Sequence, residues 1–196
     1  MKRNGAGLAF VTGLSLMLLS AGSDGAYRAF KSKPTSFTRF TPDFSSIHLT
    51  DRYGNPVPVK ELFEKDRNLV FAFFFTQCIT ICTTTTFTLK GVEPYLPRDA
   101  TLVLISIDPD NDTPAALKEY AALHQLNSPG WKLLTGSRED IDRFQRLLAS
   151  YRGNKMNHNT SIFVKQSGCT SVTEVERNFS VIPELFQKES ELASCK

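Results

Sequence analysis

The stretch that most constrains this chain is "NLVFAFFF", residues 68–75, a nearly unbroken apolar run that ends just ahead of Cys78. A run of this length without polar alternation reads as a strand buried on both faces. Such a strand needs cover on each side, so the rest of the chain must supply it. Directly behind the run, "TQCITIC" places Cys78 and Cys82 four positions apart. Apolar strands belong in cores and closely spaced thiols belong to chemistry, so function is sought at their junction.

The flanking segments supply the cover. "DFSSIHLTDRYGNPVPVKELF" places Phe44, Ile47, Leu49, Val57 and Val59 around a Gly54-Asn55 turn and predicts a small β-hairpin. After the cysteines, "TTTTFTLKGVEPYL" predicts a helix ending before Pro97, although its threonines are poor helix formers. "TLVLISID", residues 101–108, is a second strand. The next helix opens with Thr113 as N-cap and Pro114 at its first position, and Ala116, Tyr120 and Leu123 are expected along its apolar stripe. "WKLLTG" is a short strand. "SREDIDRFQRLLASY" follows with Ser137 and Asp140 arranged as a capping box and Ile141, Phe144 and Leu148 on its apolar side. "NTSIFVKQSG" reads as a strand entering a turn, and a helical tail is expected after Pro183. Alternating strands and helices make an α/β domain with a mixed sheet covered by helices on both faces and an N-terminal β-hairpin. A dithiol after its first central strand points to a thioredoxin-like fold.

Residues 1–22 carry a basic start, an apolar stretch from Leu8 to Leu19 and small residues after it, the pattern of an export signal or an uncleaved anchor. The apolar stretch is shorter than the roughly 20 residues of a spanning helix, which favours cleavage. Residues 23–42 read as a linker, and 43–196 as the domain with an atypical C-terminal tail. Of the net charge of +3, Lys2 and Arg3 supply two, so no basic patch speaks for nucleic acid. Export implies an oxidising compartment, the bacterial periplasm, where thiols pair or must be kept reduced. Four cysteines are too few for a disulfide scaffold of this size; Cys169 and Cys195 come late and could staple the tail.

One helical turn separates Cys78 from Cys82, so in a helix their sulfurs share a face. A helix N-terminus favours thiolate, and both thiols are expected to have lowered pKa values. Such a pair either clasps one soft cation, Cu(I) above all, or closes into a local disulfide. Two inert core cysteines are the plainer alternative, against which the polar neighbours Thr76, Gln77 and the threonines argue. A structural zinc needs four ligands, and no second local pair exists. Of the histidines, His124 falls on a helix and His48 in the hairpin. His158, in "KMNHNTSIF", precedes a strand at the edge expected to face the dithiol; an exposed loop histidine is its alternative. Met156 reads as a packing residue, with weak thioether ligation as the lesser reading.

"FFFTQCITIC", "ISIDPDNDTP" and the loop histidine before a strand resemble the SCO/SenC family of thioredoxin-fold copper proteins, in the same order from about Asp43 to Gly168. The resemblance implies Cys78, Cys82 and His158 as copper ligands. It also implies a role in assembling the binuclear copper centre of cytochrome c oxidase, whose copper-site subunit or a similar cuproprotein would be the partner, with a thiol reductant keeping the pair reduced. Membrane contact would come only through an N-terminal anchor. Asp108 and Asp112 match the Asp-Pro segment and read as structural, with tuning of the site by Asp108 a minor role. The family commonly has proline after each cysteine and histidine before the first. Here Ile79, Thr83 and Gln77 stand there, which predicts a less rigid site, and the usual strand and helix ending is not evident after Gly168.

Two functions follow. The first is a metallochaperone that holds Cu(I) on two thiolates and an imidazole. The second is an enzyme, a thiol-disulfide oxidoreductase cycling Cys78 and Cys82 to keep acceptor cysteines reduced. A standard thioredoxin-type reductase would show Cys-x2-Cys and a proline before its fourth strand, but no proline occurs between Pro129 and Pro183. A peroxiredoxin-type peroxidase needs a proline and a hydroxyl residue where Phe74 and Phe75 stand, and it ranks third.

Overall fold

The strand demanded by the apolar run lies at the centre of an eight-stranded mixed sheet. The computed structural model describes residues 37–187 except 65, 79, 80, 159 and 177. Its strands are β1 (Thr38–Phe40), β2 (His48–Asp51), β3 (Pro56–Pro58), β4 (Leu69–Phe74), β5 (Thr101–Ser106), β6 (Trp131–Gly136), β7 (Ile162–Lys165) and β8 (Val172–Val175). Helices are α1 (Val59–Leu62), α2 (Ile81–Val92), α3 (Pro114–Leu123), α4 (Arg138–Leu147) and α5 (Ile182–Gln187). The strand order is β1-β8-β7-β4-β5-β6-β2-β3. Among the described residues no helix is long and apolar enough to cross a membrane. The leader, residues 1–22, and Cys195 lie outside the described residues, as does most of the linker.

All six residues of β4 are buried, as a doubly covered strand requires. Alternate side chains serve alternate faces. Phe71 and Phe73 meet Phe144 of α4 and Phe163 of β7, with Phe71 stacked on Phe163 at 5.1 Å. Phe74 points the other way, its ring 5.0 Å from that of Tyr120 in α3. Burial overrides the weak propensity of the threonines in α2, because Thr85 and Thr86 pack inward and Thr86 shares a 2.8 Å hydrogen bond with Tyr120.

The caps form as expected: Thr113 Oγ1 accepts from Ala116 N–H, and Ser137 Oγ from Asp140 N–H. The stripe on α3 is displaced, however. Leu117, Tyr120 and Ala121 are buried, whereas Leu123 is 77% exposed, because the helix enters the sheet with the 117–121 turn inward. Two further corrections concern the edge. Part of the expected linker is strand: Thr38–Phe40 pairs antiparallel with β8, a three-residue edge too short to show periodicity. A strand, β8, also follows Gly168, and the helical tail expected after Pro183 forms as α5. β8 was hidden because only its ends, Val172 and Val175, are apolar, while Thr173 and Glu174 between them are buried in a strand flanked by two others rather than exposed. Gly168 turns β7 into β8 with φ of 81°, a left-handed conformation suited to glycine.

Lys165 is 1% exposed at the far end of β7, where its Nζ donates to the carbonyls of Arg67 (2.9 Å) and Gln166 (3.4 Å). Burial lowers its pKa from 10.5 to about 8, although Asp66 pulls the other way. The unfolded chain therefore keeps a proton that the folded chain has released, and stability rises with pH between those two values. The rise should amount to about 3 kcal/mol. Urea unfolding across that window should show it in the wild type and not in Lys165→Met; parallel curves for the two proteins would refute it.

Candidate metal centre

Sheet register carries three separate chain segments to one end of β4. Parallel pairing sets Phe74 beside Ser106, so the Asp-Pro segment after β5 emerges next to the cysteine loop. Antiparallel pairing sets Ala72 beside Ile162, so the residues just before β7 come to the same end. Cys82 lies in the first turn of α2 and is fully buried; Cys78 and His158 are each 9% exposed. The sulfurs of Cys78 and Cys82 and a ring nitrogen of His158 lie within 4.8 Å of one another. His124, the C-cap of α3, packs against Tyr120 with ring centres 4.2 Å apart and the planes tilted by 40°, and His48 is exposed on β2, so neither joins the group. Met156 is 68% exposed, which corrects its expected role in packing.

Cys78, three positions ahead of the first residue of α2, has its Sγ accept from Cys82 N–H at 3.3 Å, one of the amides that a helix start leaves without an intrahelical partner. Thr83, standing where the family commonly has proline, donates from Oγ1 to the Cys78 carbonyl at 3.4 Å, a tie that proline cannot make. The loop is also fixed from the side. Fully buried Asp112 accepts from Thr76 N–H (3.0 Å), Thr76 Oγ1 (2.5 Å) and Ser106 Oγ (2.6 Å). Hydrogen bonds thus tie Thr76 and Thr83, on either side of the dithiol, to the rest of the site. Gln77 is exposed, and Ile79 lies outside the described residues.

His158 Nδ1 lies 2.9 Å from the Lys155 carbonyl, which can only accept, so Nδ1 carries the proton. Nε2 is then the free lone pair, and it faces Cys82 Sγ at 3.4 Å. Burial lowers the His158 pKa, against the Lys155 carbonyl bond, which raises it. The expectation of two acidic thiols fails for Cys82. Burial pushes its thiol well above the ordinary range, helped by its hydrogen bond with Cys78 and opposed by the Phe75 backbone. At neutral pH Cys82 is a thiol able to donate to Nε2.

Asp108, 2% exposed, binds Lys155 Nζ at 2.5 Å and Asn111 Nδ2 at 2.9 Å, with Arg138 at 3.8 Å. Burial would raise its pKa, but these bonds and charges hold it below the ordinary carboxylate range. Lys155 and Thr76 are the supporting residues that sequence reasoning missed. A lysine three positions before the histidine was the available signal for the first.

A model of the SCO1/SenC family matches residues 33–189. The chain belongs to the SCO1/SenC family. A SCO1 protein homolog of Bacillus subtilis is 37% identical over 76 residues, 37% of this SCO1/SenC chain and 39% of that protein. The chain spans about half the length, or less, of the curated relatives it matches. Among solved structures, Arabidopsis thaliana ScoI with copper bound matches with a TM-score of 0.60 at 23% identity, over 70% of this chain and 91% of that one. BsSco, described as a member of the Sco family of cytochrome c oxidase assembly proteins, matches with a TM-score of 0.61 at 22% identity, over 82% and 98%. At these identities the likeness is one of fold. The fold of this SCO1/SenC chain is thus the thioredoxin-like one.

Proposed function

We propose that this SCO1/SenC protein binds Cu(I) through Cys78, Cys82 and His158 and passes it to a cuproprotein acceptor, the binuclear copper site of cytochrome c oxidase. The observation that carries the reading is the unprotonated Nε2 of His158 beside Cys82 Sγ, a lone pair that a purely redox dithiol does not require. Two sulfurs and one imidazole form a soft, low-coordinate donor set that suits Cu(I), and among the described residues no carboxylate joins it to favour a harder ion. The copper-bound relative and the family relation agree with this chemistry. Loading at neutral pH displaces the Cys82 proton, so proton release accompanies it, and a thiol reductant separately keeps the pair in the dithiol form that can load. The reading places the protein in the bacterial periplasm, soluble or anchored.

A competition titration with a chromophoric Cu(I) chelator, run beside an insulin-reduction assay, tests the proposal. Wild-type protein should bind Cu(I), and His158→Ala should weaken it by at least about tenfold. Strong insulin reduction with unchanged copper affinity in His158→Ala would overturn it in favour of a thiol-disulfide oxidoreductase.

A further inference from the structure

We infer that Lys155 is the positioning residue for His158: its carbonyl selects the imidazole tautomer, and its side chain, ion-paired with buried Asp108, holds that carbonyl in place. The segment before His158 has little other purchase on the protein. Arg152, Gly153, Asn154, Met156 and Asn157 are all exposed, and only Lys155 and His158 turn inward. The Lys155 carbonyl accepts twice from His158, from the backbone N–H at 3.2 Å and from Nδ1 at 2.9 Å. Its Nζ reaches Asp108 at 2.5 Å, just beyond the end of β5 and with only 4% of the carboxylate side chain exposed. The same Nζ lies 5.3 Å from the centre of the Phe75 ring, which meets the His158 ring edge-on at 5.6 Å. Asp108, Lys155 and His158 thus form one chain of contacts from the central sheet to the free Nε2. A metal-ligating imidazole takes its orientation from the partner of its other nitrogen, and here that partner's own position depends on the ion pair.

The inference concerns the site proposed above, but one arm of its test needs no copper. Long-range proton–nitrogen NMR of copper-free protein should show His158 as a single tautomer with the proton on Nδ1. Lys155→Met should mix the two tautomers. If that variant unfolds because buried Asp108 keeps only Asn111 and the more distant Arg138 as partners, the double variant Asp108→Asn with Lys155→Met removes both charges and serves in its place. The second arm is Cu(I) affinity. Lys155→Met should weaken binding about tenfold in the wild-type background and not at all when added to His158→Ala. Equal losses in both backgrounds, or an unchanged tautomer, would overturn the positioning role. Should wild-type protein bind no Cu(I), the function proposed above falls, and the tautomer in the lysine variant alone decides this inference.

Discussion

Serine at Cys82 is expected to abolish Cu(I) binding, and serine at Cys78 to do the same. The described group offers three donor atoms, so each substitution removes a third of the set and replaces a soft thiolate with a hydroxyl that stays protonated. Structural zinc sites derive about 10–16 kcal/mol from their ligands together, so losing one thiolate here should cost about a thousandfold in affinity or more. The fold should survive. At Cys82 the serine hydroxyl can still donate to His158 Nε2, and at Cys78 the hydroxyl oxygen can still accept from the Cys82 amide. Competition titration and urea unfolding on the same samples separate the two effects. In the wild type, apparent affinity should also climb with pH, because the raised Cys82 pKa makes a proton compete with the metal. Full copper affinity in either serine variant would remove the basis for the metal centre.

The residues that announced the site were those whose chemistry is local. The apolar run of β4 could only be central, and the Cys78–Cys82 spacing could only place the sulfurs near each other if a helix began between them, as α2 does. His158 was legible as a loop histidine just before a strand, matching the SCO/SenC pattern, and the antiparallel register of β7 with β4 is what brings its leading loop to the cysteines. What stayed hidden was set by tertiary contact. Lys155 looks like any loop lysine until Asp108 is seen 2.5 Å away. Helix-end electrostatics alone predict a lowered Cys82 pKa, and burial, which only the folded structure reveals, outweighs them. β1 and β8 escaped notice because one is three residues long and the other buries polar side chains. Of the two positions where the family commonly has proline, Thr83 makes a hydrogen bond to the Cys78 carbonyl that proline would forgo, a tie invisible in the sequence because it depends on how the chain folds back at the start of α2.

Asp112→Ala is expected to be the most damaging substitution outside the three donors, and it tests whether the cysteine loop is held from the Asp-Pro segment. The carboxylate is fully buried and receives hydrogen bonds from Thr76 N–H, Thr76 Oγ1 and Ser106 Oγ. Ser106 Oγ in turn accepts from Asp108 N–H at 3.0 Å, so one carboxylate ties the end of β4 to the end of β5. Truncation leaves the buried Ser106 hydroxyl and the half-buried Thr76 donors without their acceptor, at about 1–3 kcal/mol each, and a total loss of about 3 kcal/mol follows. Asp112→Asn keeps the volume and one acceptor oxygen but turns an amide donor toward other donors, so its loss should be smaller. With the Thr76 ties gone, Cys78, two residues further on, should become more accessible, and its alkylation by a maleimide should accelerate in native buffer while Cys82 stays protected. Urea unfolding that places Asp112→Ala within about 0.5 kcal/mol of wild type would show that the loop is held by the helix alone. Unchanged Cys78 alkylation in a destabilised variant would show that Asp112 supports the sheet without governing the thiol.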